Sequence, residues 1–261
     1  MPRPLIPLFL LLFANAALAS AEPAVSAGDL AARLSAAQEG SSYVRLIMHI
    51  KNSAGAPAVT LQIQIKQRRD PGHTDVLYQI LWPRERKGEA VLLHQSAGAP
   101  PSGSLLLPPA TFRPLTAAQM SAPLFGSDLS YEDAIENFFS WPNQTLAGTE
   151  AVNRVDCVIL ESKPGAGDHS IYGSVRTWID PHRLVPMRVE KYLPSGKLAR
   201  HIDTTRIAND DNAHPIPANL TVHAGQSDSQ TDLDGSRIRH DITYSDLDFS
   251  PDGLKAVAIP R

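Results

Sequence analysis

Apolar and polar residues alternate along residues 59–66, with Val59, Leu61, Ile63 and Ile65 on one parity and Thr60, Gln62, Gln64 and Lys66 on the other. A period of two marks a strand with one dry and one wet face; helical apolar residues recur every three to four positions instead. The same alternation precedes this segment. Val44, Leu46, Met48 and Ile50 face one way and Tyr43, Arg45, His49 and Lys51 the other, with Ile47 apolar on the polar parity. It follows in Val76, Tyr78, Ile80 and Trp82, which Pro83 ends. It resumes in Val155, Cys157 and Ile159, in Val175, Thr177 and Ile179, and around 184–192, 198–207, 220–224 and 237–244. With short apolar runs at 90–94 and 105–107, this gives about eleven strands at hairpin spacing. Alternation argues against a parallel α/β sheet, whose strands are apolar on both faces. The expected fold class is mainly β: a single curved antiparallel sheet, or unclosed β-barrel.

Two segments break the pattern. Residues 26–39 read as an amphipathic helix with Leu30, Leu34 and alanines on one side, ended by Gly40. Residues 124–141 read as a short helical lid among strands. Ser130 and Asp133 have capping-box spacing, and Glu132 and Asp133 place negative charge in a first turn. Ile135, Phe138 and Phe139 then form an apolar stripe at helical spacing, Trp141 follows, and Pro142 ends the element. An aromatic helix between two groups of strands serves either as a permanent plug or as a movable cover.

The first residues have the form of an export leader: Arg3, an apolar run over 5–13, and the small-x-small triplet Ala17-Leu18-Ala19. Cleavage is expected after Ala19, with Ala21 as the alternative. The run is too short to span a membrane. No Cys follows either cut, so no lipid anchor is expected. The domain division is therefore 1–19 signal peptide and 20–261 half-barrel, placing the mature protein in the periplasm. The chain carries 27 acidic and 24 basic side chains, a balance without the basic stripe of a nucleic-acid binder. Cys157 is the single cysteine, which rules out an internal disulfide and reads as a buried thiol on a strand's apolar parity.

Several segments, in order, resemble the outer-membrane lipoprotein-sorting family of LolA-like periplasmic carriers. Lys87-Gly88-Glu89-Ala90 resembles a strand start of that family. Residues 124–133, with Gly126, Ser127, Asp128, Glu132 and Asp133, resemble its Gly-Ser-Asp-(Phe/Leu)-Ser-Tyr-Glu-Asp signature. Residues 152–161 resemble a family strand around Cys157, with Asn153 where glycine is usual. Residues 172–188 and 192–197 resemble the hairpin and turn that follow. The resemblance covers roughly residues 40–250. It implies an unclosed barrel with a helical lid whose apolar interior shields acyl chains in transit toward the outer membrane. It implies lipid or lipoprotein acyl chains as partners, with an inner-membrane transporter or an outer-membrane acceptor. No arginine here is matched to the one that governs cargo release in the sorting carrier; Arg45 merely lies on an early strand.

The candidate ligand-binding surface is the dry stripe Leu46, Met48, Ile50, Leu61, Ile63, Ile65, Tyr78, Ile80 and Trp82. The candidate lid residues are Phe125, Tyr131, Ile135, Phe138, Phe139 and Trp141. Asp128, Glu132 and Asp133 are the residues available for paired-carboxylate chemistry, but helix starts attract carboxylates without it, and no catalytic role is assigned. There is no His-Glu-x-x-His, Cys-x-x-Cys, Gly-x-Ser-x-Gly or phosphate-binding glycine loop. The histidines are scattered without ligand spacing. Asp232-Leu-Asp234-Gly lacks the remaining ligands of a calcium loop and reads as a turn. Neither a metal nor a cofactor is expected. The leading function is a non-covalent carrier or chaperone for a lipid or acylated lipoprotein. The alternative is a lipid-sensing or assembly module that partners a membrane protein, and a third class is a secreted hydrolase.

Overall fold

The computed structural model describes residues 25–51, 58–109 and 111–258; the leader and its cleavage site lie outside the described residues. A helix, α1 (Ala27–Ala36), precedes six strands: β1 (Gly40–Lys51), β2 (Val59–Asp70), β3 (His73–Trp82), β4 (Ala90–Ser96), β5 (Ser102–Leu107) and β6 (Thr111–Leu115). Residues 116–142 contain only short turns. Seven strands follow: β7 (Asn143–Val152), β8 (Val155–Lys163), β9 (Ser174–Asp180), β10 (Val185–Tyr192), β11 (Leu198–Asn209), β12 (Pro215–Ala224) and β13 (Gln230–His240). A second helix, α2 (Pro251–Ala258), comes last.

All thirteen strands belong to one antiparallel sheet, in the order β6 to β1 and then β13 to β7. The first and last strands are therefore hydrogen-bonded neighbours in mid-sheet, with Met48 opposite Leu233 and Ile50 opposite Thr231. The two edges are β6 and β7, which are consecutive in sequence. The sheet is left unclosed between them, and the chain that joins them is the 116–142 segment.

The dry parity forms rows across the sheet. Leu46 faces Ile63, which faces Ile80; Val44 faces Ile65, which faces Tyr78, which faces Val91. The stripe departs from expectation at one residue. The register shifts between the Gln62–Trp82 and Ile63–Ile80 pairs, so Leu81 is an extra residue and Trp82 sits opposite Gln62 on the wet face. Trp82 is 49% exposed.

Strand β4 shows no alternation because both its faces are covered. Val91 and Leu93 face the interior with Val76, while Ala90 and Leu92 join Leu77, Leu106, Phe249 and Leu254 of the C-terminal segment on the outer face. On the other half of the sheet, α1 is capped by Ser26, whose hydroxyl accepts from the Asp29 N–H at 3.1 Å. Its Leu30, Ala31 and Leu34 pack on Leu160 of β8 and Ile179 of β9.

Among the described residues there are thirteen strands rather than about eleven. The two that alternation misses are the edges: β6 contains Pro114, and β7 is exposed along nearly its whole length. An edge strand with little to bury has no dry parity to reveal it. Strand β13 also begins earlier than expected, so Asp232-Leu-Asp234-Gly is strand and not turn. Asp232 there pairs with Lys51 at 2.7 Å.

Candidate functional site

The 124–141 segment is not one helix. Phe125 and Gly126 have φ of +55° and +89°, a left-handed pair that a helix cannot contain. They make the tip of a small hairpin in which the Leu124 N–H donates to the Leu129 carbonyl at 2.7 Å and the Tyr131 N–H to the Ala122 carbonyl at 3.2 Å. The expected capping box does form: Ser130 N–H donates to Asp133 Oδ2 at 2.8 Å and Asp133 N–H to Ser130 Oγ at 3.1 Å. It caps a single turn, closed by the Glu136 N–H on the Glu132 carbonyl. Non-helical backbone at Asn137 stops that turn, and a short 3₁₀ turn at Phe138–Ser140 follows. Contacts made by the side chains to distant strands override local helical preference.

The segment covers the concave face in two parts. Leu124, Tyr131 and Ile135 are buried against Val76, Val91, Leu93 and Leu115, while half-buried Phe125 also reaches the cluster of Met48, Ile50, Leu61, Ile63 and Ile80. Phe139 is buried with α1, Leu160 and Ile179, and Trp141 with Tyr172 and Val175. Half-buried Phe138 packs beside both groups.

The signature residues act as a clasp. Asp128 accepts from Thr231 Oγ1 at 2.7 Å and from Ser229 Oγ, which ties the hairpin to β13. Glu132 accepts the Ile171 N–H at 2.9 Å. Tyr78 on β3 donates to the Ala134 carbonyl at 3.0 Å, and Arg69 on β2 to the Ile135 carbonyl at 3.1 Å. Asp133 sits between Lys191 and Arg200, at 2.9 and 3.0 Å, and also accepts from the Tyr172 hydroxyl at 2.7 Å. Lys191 and Arg200 are directly opposed on β10 and β11. Like charges in that position repel, so Asp133 supplies the anion their register requires. Glu136 binds Lys191 at 3.2 Å and accepts from Ser170. The Lys191 ammonium also lies 4.9 Å from the Tyr172 ring centre and 5.3 Å from that of Phe138.

Burial alone would raise the Asp133 carboxyl, but Lys191 and Arg200 outweigh it and hold it well below the usual carboxylate range. Burial likewise opposes the Lys191 charge, and Asp133 and Glu136 outweigh it and raise its pKa. Glu136 is the surplus carboxylate. Burial pushes it up from 4.5 to about 7, although Lys191 and Ser170 pull the other way and Glu132 and Asp133 add to the rise. A carboxyl that keeps its proton longer when folded contributes stability at low pH that is lost as pH rises through its folded value. Between pH 5 and 8 the wild type is therefore expected to lose about 2–3 kcal/mol through this group. Glu136→Gln removes that slope, measured by urea unfolding at both pH values. An identical pH dependence in the variant would refute the assignment.

Sequence reasoning located the signature but not its partners. Arg69, Glu136, Tyr172, Lys191 and Arg200 all escaped it. One signal was available: Lys191 lies two residues after Val189, and a charge on an inward parity needs a buried partner.

The stripe residues line none of the cavities given above or below; apart from Trp82 they are packed together, with Phe125 among them. A cleft of about 390 Å³ is bordered by Ser35, Arg69, His73, Asn137 and Trp141. The buried Nε and Nη1 of Arg69 have no hydrogen-bond partner there. Cys157 is buried on the other face of β8, beside Trp178 and Met187, and burial raises its pKa.

The fold is a single unclosed antiparallel sheet whose two edges are joined by an aromatic segment. Three solved structures share it. A DUF1329 family protein from Desulfovibrio piger superposes with a TM-score of 0.79 at 24% identity, covering 87% of this chain and 97% of that one. An outer membrane lipoprotein-sorting protein domain from Vibrio parahaemolyticus gives 0.75 at 22%, covering 86% and 97%. A LolA superfamily protein from Nitrosomonas europaea gives 0.70 at 19%, covering 87% and 98%. Comparison with the curated proteins gives no match. A family model described as "uncharacterized protein" matches residues 72–256, and the chain belongs to that family. Among the described residues, no helix is long and apolar enough to cross a membrane.

Proposed function

We propose that this protein is a periplasmic carrier that binds a lipid or an acylated lipoprotein on its concave face and moves it toward the outer membrane. One observation carries the reading: an apolar face spanning β1 to β5 is covered by a segment held through side-chain contacts and short turns rather than by strand pairing. Such a cover can be exchanged for an acyl chain with little change in total apolar burial. The acyl chain would take the place of Phe125 and its neighbours over Leu46, Met48, Ile50, Leu61, Ile63, Ile65, Tyr78 and Ile80. The export leader supports the compartment, and the shared fold with a lipoprotein-sorting domain supports the cargo class. An inner-membrane transporter as donor and an outer-membrane acceptor are the partners this role needs. The signature carboxylates are engaged in holding the cover, so the reading assigns them docking and not catalysis.

Phe125→Ala tests it. The ring fills the closed interior from a half-buried position, so its loss is expected to cost little stability and to raise affinity for a fluorescent fatty-acyl probe several-fold. Native mass spectrometry and lipid extraction of protein purified from the periplasm are expected to find an apolar ligand. No extracted lipid, with no probe binding by either form, would overturn the carrier reading. A membrane protein that co-purifies and is released by acyl lipid would favour the sensing module instead.

A further inference from the structure

The inward side of β2 does not stay apolar to its end. Leu61, Ile63 and Ile65 are followed on the same parity by Gln67 and then Arg69, next to the β2–β3 turn. Arg69 is only 6% exposed. Its Nη2 donates to the Ile135 carbonyl of the cover at 3.1 Å, while Nε and Nη1 are buried without a partner. A guanidinium carries five N–H donors in a fixed fork, and leaving donors unmet away from water is costly. A second unmet group borders the same cleft. Asn137 Nδ2 donates to Ser35 Oγ at 3.0 Å, but its Oδ1 is buried and accepts from nothing. The other charged residues of the lining are acidic: Glu39 and Asp70, both exposed, and Asp168, whose Oδ2 accepts the Gly165 N–H at 2.7 Å. His73 and His169 complete the titratable lining.

We propose that this cleft receives the head group of the bound lipid, a phosphate diester bearing a primary ammonium, with the phosphate on Arg69 and the ammonium toward Asn137 Oδ1 and the acidic rim. The inference rests on the carrier reading and names the head group of its cargo. A phosphate supplies the acceptors that the guanidinium lacks, in the pairing that suits arginine best. An ammonium has three donors and no acceptor, which matches an orphaned amide oxygen beside carboxylates. A head group with negative charge alone would meet three carboxylates and one cation. The placement also fits the apolar face. Arg69 lies four residues beyond Ile65 on the same side of β2, about 13 Å along an extended strand. A chain lying over Leu61, Ile63 and Ile65 therefore points its polar end at Arg69. When the cover lifts, the Ile135 carbonyl leaves Nη2, and a phosphate oxygen takes its place.

Competition against a fluorescent fatty-acyl probe tests it, with three single-chain lipids of one acyl length below their micelle concentrations: a monoacylglycerol, a lysophosphatidylglycerol and a lysophosphatidylethanolamine. The wild type is expected to bind the phosphoethanolamine lipid about tenfold more tightly than the monoacylglycerol and several-fold more tightly than the phosphoglycerol lipid. Arg69→Gln is expected to erase the first preference. It also loosens the cover, but that acts on all three lipids alike, so the ratio of affinities reads the head group. Glu39→Gln with Asp70→Asn, both at exposed positions that leave folding intact, is expected to erase the second preference. Phosphoethanolamine without a chain is expected not to compete, and competition by it would overturn the lipid source. Equal affinity of the wild type for all three lipids, or preferences that survive in both variants, would overturn the head-group site and leave the carrier reading standing. Binding of none of the lipids and none of the probe would overturn both.

Discussion

Lys191→Met is expected to lower stability by about 3–5 kcal/mol, because it leaves buried carboxylates without their shared cation. For a domain of this size that corresponds to a fall in Tm of roughly 10 °C. The ammonium is the hub of the clasp: it holds Asp133 and Glu136 from the cover and lies against the rings of Tyr172 and Phe138. Adding Glu136→Leu to Lys191→Met removes the surplus carboxylate and is expected to recover part of the loss, since Asp133 retains Arg200. Calorimetric melting of the wild type, the single and the double variant measures both effects. A single variant within about 1 kcal/mol of wild type would show that the cluster is not a stabilising clasp.

Phe139→Ala is expected to cost about 3–5 kcal/mol, the usual loss for truncating a buried phenylalanine. Its ring is 4% exposed and fills the space between Leu30 and Leu34 of α1 and the strand residues Leu160 and Ile179. The loss is expected to fall locally on α1, seen as faster amide hydrogen exchange over residues 27–36, while the β1–β13 pairing stays protected. The contrast with Phe125→Ala then separates the two parts of the cover: a fixed wedge around Phe139 and a releasable tip around Phe125. Equal stability losses from the two variants would remove that distinction.

Much of this fold was legible in the chain. Where a strand has one wet and one dry face, as in β2, side-chain parity announces it, and the inward rows of the early strands follow. Legibility failed where the physics that sets structure was not local. Strand β7 is an edge with nothing to bury. Trp82 left the dry stripe because one extra residue, Leu81, shifted the register. The capping box of Ser130 and Asp133 was read correctly as a local motif, but the helix expected after it stops at one turn. Asp128, Glu132 and Asp133 each answer to a different distant partner, and no single helix presents all three in those directions. The partners themselves, Lys191 and Arg200, are ordinary charged residues until their cross-strand register places two cations side by side.

The position of the sheet's gap has a further consequence. Because β6 and β7 are consecutive, the cover is also the covalent link between two halves of the molecule, β1 to β6 and β7 to β13. With one cysteine in the chain, no disulfide joins them. A single peptide-bond cut within 116–142 would produce two fragments that meet edge to edge through the β1–β13 ladder. On the proposed carrier reading, opening for cargo would break no strand pair, yet it would unwrap the stretch on which the molecule's one-piece character depends. The proposed loading and the vulnerability to proteases would thus be carried by the same residues.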